Sequence, residues 1–180
     1  MYSEEFVTQL YHSHLPVLKA ALDVFNIKSV FEFGSGLGST PLFIEQCESV
    51  HSIEMQEEEW FKKVSDELSG SSNFTYEMML GPQDAIDYFL DIDKTYDMIF
   101  ADGHADSRPE CINAAVTKSD IVITHDTHTN QYGWDRVVLP EGWSELIYKE
   151  FPPWTTVYYN ADKVNATNLI NSVQMRTKWH

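Results

Sequence analysis

The stretch from Ile121 to Asn130 reads IVITHDTHTN: an apolar run stops abruptly at His125, Asp126 and His128. A histidine titrates near neutrality, so it can take a proton from a hydroxyl or ligate a metal. A carboxylate beside it can hold a cation, orient the ring, or only tie down a turn. A second apolar run, DMIFADGH, ends in Asp102 and His104. Two more end in polar groups: VFEFGSGLGST carries Glu32, Gly34, Ser35, Gly36, Gly38 and Ser39, and SVHSIE ends at Glu54. Glycines spaced G-x-G-x-G permit a tight turn and close backbone approach to a ligand. The spacing is not the dinucleotide fingerprint G-x-G-x-x-G, and no G-K-[ST] follows, which disfavours a phosphate-gripping loop. Glu54 stands twenty residues after Gly34, where an ionised carboxylate can accept hydrogen bonds from both hydroxyls of a ribose.

These groups are far apart in the chain and act together only if the fold gathers them. SVFEF, SVHSIE, NFTYEMML, YDMIFAD and DIVITHD read as strands, and STPLFIEQC, EEEWFKKVSDEL, PQDAIDYFL and RPECINAAV as the helices between them. Such alternation builds a mostly parallel sheet with helices on both faces, and ligands sit beyond the carboxyl ends of its strands. WSELIYKEF and WTTVYYN, separated by Phe151-Pro152-Pro153, add an edge hairpin and bring the strands to seven. Upstream, Leu15, Leu18, Leu22 and Phe25 form a helical stripe. Pro16 and His12-Ser13-His14 divide the segment from Ser3 to Phe25 into two shorter helices. The whole is read as one domain, 1–180, with 1–28 as a helical cover and 163–180 as a tail or final helix.

The composition narrows the partners. The 180 residues are 43% hydrophobic and 22% charged, and Asp+Glu 28 against Lys+Arg 12 give a net charge of −16. An acidic surface argues against binding a nucleic-acid backbone. No apolar run reaches membrane-spanning length. MYSEEFVTQL has acids where a secretory signal has bases, and Cys47 and Cys111 suggest no disulfide framework, so a cytoplasmic location is expected.

The glycine loop, Glu54 and DMIFADGH…HD together resemble class I S-adenosylmethionine-dependent methyltransferases, over about Val30 to Asp126, and specifically the small-molecule and sugar O-methyltransferases. The resemblance implies a three-layer Rossmann-like sandwich with a mostly parallel seven-stranded sheet. It implies that Gly34, Ser35, Gly36 and Gly38, followed by Ser39, wrap the methionine part of the donor, with Glu32 facing its amino group. It implies Glu54 on the ribose, Met55 against adenine, Gln83 and Asp84 on the adenine side, and Asp102 beside the transferring methyl.

On the acceptor side, relatives with acids at these two strand ends bind Mg²⁺ through them and a following Asn or Asp. That pattern maps onto Asp102 and Asp126, but Thr127 holds the third place. His125, His128 or Asn130 are left as substitutes, with His128 taken as the third ligand of Mg²⁺ or Mn²⁺; a His-rich set suits a softer ion than Mg²⁺. Without metal, His104 or His125 is the proton acceptor, and His12 and His14 rank lower. Ser107 is expected to cap the helix starting near Pro109, and Arg108 to reach an anionic acceptor or a carboxylate. Tyr132, Trp134 and Trp143 line a sugar or aryl pocket by stacking or pack the loop onto the sheet, with packing expected for Trp143. The expected function is O-methylation of a small hydroxylated molecule, a saccharide or diol, with the pocket completed by the N-terminal helix or by another subunit of a homo-oligomer. A metal-dependent hydroxylase or hydrolase, or a noncatalytic binding or assembly protein, are the competing readings.

Overall fold

Both faces of the central strands are apolar, and this decides the architecture. In β1 (Ser29–Phe33), Val30 points to one side and Phe31 and Phe33 to the other. Met98 and Phe100 of β4 (Met98–Ala101) oppose Ile99 and Ala101, and Ile121 and Ile123 of β5 (Ile121–Thr124) oppose Val122. Side chains alternate across a strand, so such runs need cover on both sides. The computed structural model of the chain, which describes residues 12–150 and 152–177, supplies that cover with two helical layers.

The sheet has seven strands in the order β3-β2-β1-β4-β5-β7-β6, with β2 (Ser49–Glu54) and β3 (Phe74–Met78) on one side of β1. The first five strands are parallel. The hairpin of β6 (Trp143–Tyr148) and β7 (Thr155–Asn160) is antiparallel, and β7 inserts beside β5. One face is covered by α1 (Leu15–Phe25), α2 (Ser39–Gln46) and α6 (Thr167–Thr177), which bury Leu18, Leu22, Phe43 and Leu169. The other is covered by α4 (Pro82–Asp91) and α5 (Arg108–Ala115), through Ile86, Phe89 and Ile112. The amphipathic α3 (Glu58–Leu68) lies near the edge and buries only Val64 completely.

The expected pair of helices before the sheet is described only in part. α1 starts at Leu15, with Pro16 in its first turn, where a missing N–H is harmless; the helix expected upstream lies outside the described residues. Of the two readings of 163–180, the helix is the one found, over Thr167–Thr177. No helix among the described residues is long and apolar enough to cross a membrane. Cys47 and Cys111 are free and buried, and burial raises their thiols to about 11 and about 12.

Candidate functional site

Register alone gathers the polar strand ends. Phe33 pairs with Ile53 on one side and Ala101 on the other, and Ala101 pairs with Thr124. The next residue on each strand is therefore Gly34, Glu54, Asp102 or His125. Gly34 has φ +85°, and a Cβ there would lie 2.4 Å from Cα of Gly103, so the first turn after β1 packs directly on the turn after β4. Gly36 is roomier: among the described residues a Cβ would meet only Ser39 Oγ at 3.4 Å and Gly38 N at 3.9 Å. Gly34 to Ser39, with His12, His14, Trp60 and Asp102, wall a cavity of about 510 Å³. That volume suits a nucleoside-sized ligand.

The two acids tied to this loop are both buried. Glu54 Oε1 accepts from the backbone N–H groups of Met55 and Gln56, each at 2.9 Å, and Oε2 accepts from Ser35 Oγ at 3.2 Å. Ser35 also bonds the Tyr76 hydroxyl, and its carbonyl accepts from Trp60 Nε1 at 2.9 Å. Glu32 has no exposed surface. Its oxygens accept from Ser39 at 2.5 Å, Thr40 at 2.7 Å and Ser52 at 2.6 Å. Burial raises its carboxyl to about 7 although those three hydroxyls pull it down. Glu32 thus braces the start of α2 from beneath and does not face the cavity, as the family likeness had placed it; strand alternation turns it inward one residue before the strand ends.

Beyond β4 and β5 a buried cation organises the acids. Arg108, 6% exposed, sends Nη2 to Asp102 Oδ1 at 2.9 Å and Nη1 to Asp126 Oδ2 at 2.7 Å. The same guanidinium donates to the carbonyls of Gly103 at 3.1 Å and His125 at 3.0 Å, and its plane faces the Tyr132 ring at 5.0 Å. Burial acts to raise the Asp102 carboxyl, but Arg108, His125 and His14 more than offset it and hold the group below its ordinary range. Each acid has its other oxygen on the His125 side: Asp102 Oδ2 and Asp126 Oδ1 both lie 3.6 Å from His125 Nδ1. Asp126 reaches this position from a left-handed backbone (φ 62°), which Asp tolerates better than most residues.

The N-terminal turn closes the site from above. The His12 ring lies over Gly38, where an added Cβ would come 2.7 Å from His12 Cδ2. Ser13 Oγ lies 2.8 Å from His125 Nε2 and donates to the carbonyl of Pro153 at 3.0 Å. His14 is 4% exposed and packs its ring 4.6 Å from that of His125 and 5.3 Å from that of Phe100. Neither of its ring nitrogens meets a hydrogen-bond partner among the described residues, and burial lowers its pKa to about 4.

Asp102, Asp126 and His125 therefore come together as expected, but the ligand set Asp102–Asp126–His128 does not assemble. Arg108 already bridges the two acids, His128 is exposed, and the Thr127 hydroxyl accepts from Thr156 at 2.9 Å. The histidine and carboxylate atoms that do converge are those of His14, Asp102 and His125, within 4.8 Å of one another. His104 is half-buried, with Nδ1 unpartnered among the described residues. Met55 is buried against Gly103, while Gln83 and Asp84 are exposed and Gln83 bonds Asp87 at 2.8 Å. Ser107 precedes α5, but its hydroxyl donates to the carbonyl of His104 at 3.0 Å instead of capping the helix. Trp134 Nε1 donates to Thr129 O at 2.8 Å, which pins the loop after β5. Ranking by strand ends missed the roles of Ser13, His14, Trp60 and Tyr76. The only signal for the first two was the H-S-H cluster itself.

No protein-family model matches the sequence, and no curated protein does. Solved structures do. An O-methyltransferase from Bacillus cereus in complex with SAH superposes with a TM-score of 0.67 at 12% identity, covering 82% of this chain and 80% of that one. The O-methyltransferase TomG from Streptomyces achromogenes, in complex with SAM, gives 0.61 at 16% identity, covering 81% and 78%. An rRNA methylase from Streptococcus thermophilus gives 0.58 at 13% identity, covering 83% and 96%. The chain has the Rossmann-like methyltransferase fold. These three proteins differ in what they are named for, so the shared fold does not select the acceptor.

Proposed function

We propose that the protein is an S-adenosylmethionine-dependent O-methyltransferase of a small hydroxylated acceptor, a saccharide or another diol. The observation that carries this reading is the cavity of about 510 Å³ that joins the glycine loop to Asp102 and His14. The residues present fit the donor: Gly36 leaves room for close approach, and Glu54 lies next to the loop. Glu54 becomes available to a ribose when Ser35, which also bonds Tyr76, gives up its bond to Glu54 Oε2. When bound, S-adenosylmethionine supplies a methyl group activated by its sulfonium.

The chain's own contribution is positioning and proton removal. The loop from Gly34 to Ser39 holds the donor's amino-acid end, braced by Glu32 through Ser39 and Thr40. Asp102 orients the acceptor at the cavity wall. His104 and His125 are the side chains at these strand ends able to take the acceptor's proton. Fixing donor and acceptor in line supplies much of the rate gain. The net charge of −16 favours a small acceptor over a nucleic acid.

Calorimetry of the purified chain with S-adenosylmethionine, with and without Mg²⁺ or Mn²⁺, is the test. Binding at one donor per chain, unchanged by Mg²⁺, is expected. No donor binding under any of these conditions sinks the reading. A panel of sugars and diols, scored by mass gain of one methyl group, then identifies the acceptor.

A further inference from the structure

We infer that His14, Asp102 and His125 form a binding site for a divalent first-row transition-metal ion of the zinc class, bordering the cavity. The reasoning begins with one hydrogen atom. The Ser13 hydroxyl has a single proton and gives it to the Pro153 carbonyl, which can only accept. Ser13 therefore accepts from Nε2–H of His125, and the lone pair of the neutral ring sits on Nδ1. That lone pair faces Asp102 Oδ2 and Asp126 Oδ1, both 3.6 Å away. In that tautomer three electron-rich atoms converge, with no donor between them among the described residues. A separation of 3.6 Å is too long for a hydrogen bond. It is close to the spacing of two ligands of one tetrahedral ion, about 3.4 Å for bonds of about 2.1 Å.

His14 adds an independent observation. Its ring is buried and has no hydrogen-bond partner for either nitrogen among the described residues. Leaving such groups unpaired in a buried site is unfavourable. One nitrogen of a neutral ring carries a lone pair that an ion would satisfy.

The surroundings match a metal site's usual support. A ligating histidine normally anchors its other nitrogen, as His125 does on Ser13, and a ligating carboxylate is held by further hydrogen bonds, as Asp102 is by Arg108. Arg108 occupies Asp102 Oδ1 and leaves Oδ2 for the ion. Two imidazoles with one carboxylate select zinc, cobalt, iron or manganese over magnesium. His14 and Asp102 also line the cavity, so the ion borders it. Ligation through Nδ1 removes His125 as the proton acceptor and leaves His104. The site does not depend on the methyl-transfer reading, since no donor is needed to fill it.

The test is titration of the chelator-stripped full chain with Zn²⁺ by calorimetry and with Co²⁺ by visible d–d absorption. One ion per chain is expected, with no competition from excess Mg²⁺. His14→Gln and His125→Gln should each weaken Zn²⁺ binding about a hundredfold or more, and Ser13→Ala about tenfold, since loss of a supporting partner lowers affinity by about 10–100-fold. Circular dichroism checks that each variant is folded, and Ser13→Ala serves if a histidine variant is not. Failure of the wild type to bind either ion overturns the site. So does binding that all folded variants retain unchanged.

Discussion

Arg108 joins Asp102 to Asp126: one guanidinium lies 2.9 Å from the first carboxylate and 2.7 Å from the second. It thereby ties the turn after β4 to the turn after β5. Removing the cation strands two acids that are about one-fifth exposed. Arg108→Met should therefore lower unfolding free energy by about 3–5 kcal/mol. Adding Asp102→Asn and Asp126→Asn to Arg108→Met should recover part of that loss, because no uncompensated charge remains. Urea unfolding of the single and triple variants measures both. A single variant as stable as the wild type would show that the pair of ion pairs does not hold the turns.

Two glycines of the same loop should respond differently to a methyl group. Gly34→Ala places Cβ 2.4 Å from Gly103 Cα at a φ of +85°. Left-handed strain and overpacking together should lower stability by about 3 kcal/mol. Gly36→Ala has room in the protein and should stay near wild-type stability while weakening donor binding. Thermal melts beside donor calorimetry separate the two outcomes. Equal melting points for the two variants would refute the contrast.

Glu32 gives the molecule a pH-dependent weakness. Burial holds its carboxyl at about 7 against an ordinary 4.5. The folded chain keeps a proton that the unfolded chain releases, so this contribution is complete below about 4.5 and is lost as pH rises through about 7. Glu32→Gln cannot ionise. Its stability relative to wild type should therefore rise by about 3 kcal/mol between pH 4.5 and pH 8. Urea melts of both proteins at the two pH values give the difference. A difference that stays constant with pH would mean that Glu32 does not titrate in this window.

Glu54 holds two backbone amides as well as Ser35, so its removal tests structure and binding together. Glu54→Gln keeps one acceptor oxygen. It should lower stability by only about 1–2 kcal/mol while reducing donor affinity at least tenfold. Donor calorimetry on a variant shown to be folded decides it. Undiminished affinity would take Glu54 out of the ribose role.

The sheet was legible in the sequence because its signal is local. Val30 to Phe33, Met98 to Ala101 and Ile121 to Thr124 are buried on both faces, and few other arrangements tolerate such runs. The convergence of Gly34, Glu54, Asp102 and His125 followed from parallel register. What escaped was set by directions that only packing fixes. Glu32 reads as a strand-end acid, yet alternation sends it under α2 to Ser39, Thr40 and Ser52. Arg108 reads as reaching an anionic acceptor or a carboxylate, and the turn from Ala105 to Ser107 decides between them by swinging it back between two acids. His14 reads as a lower-ranked proton acceptor at the break between two helices before Pro16. Its position over His125 depends on how α1 crosses the sheet, which no local pattern encodes.

The bond from Ser13 to Pro153 spans 140 positions of chain. A ribosome adding about 5–20 residues per second makes the second partner on the order of ten seconds after the first. During that interval the growing chain already carries His14 and the strands through β5. The outer edge of β5 has no β7 beside it, and the Pro153 carbonyl that accepts from Ser13 is not yet made. A late segment of the chain thus locks the earliest described turn in place. A nascent chain paused before residue 153 would carry the glycine loop and both acids, yet lack the clasp that orients His125.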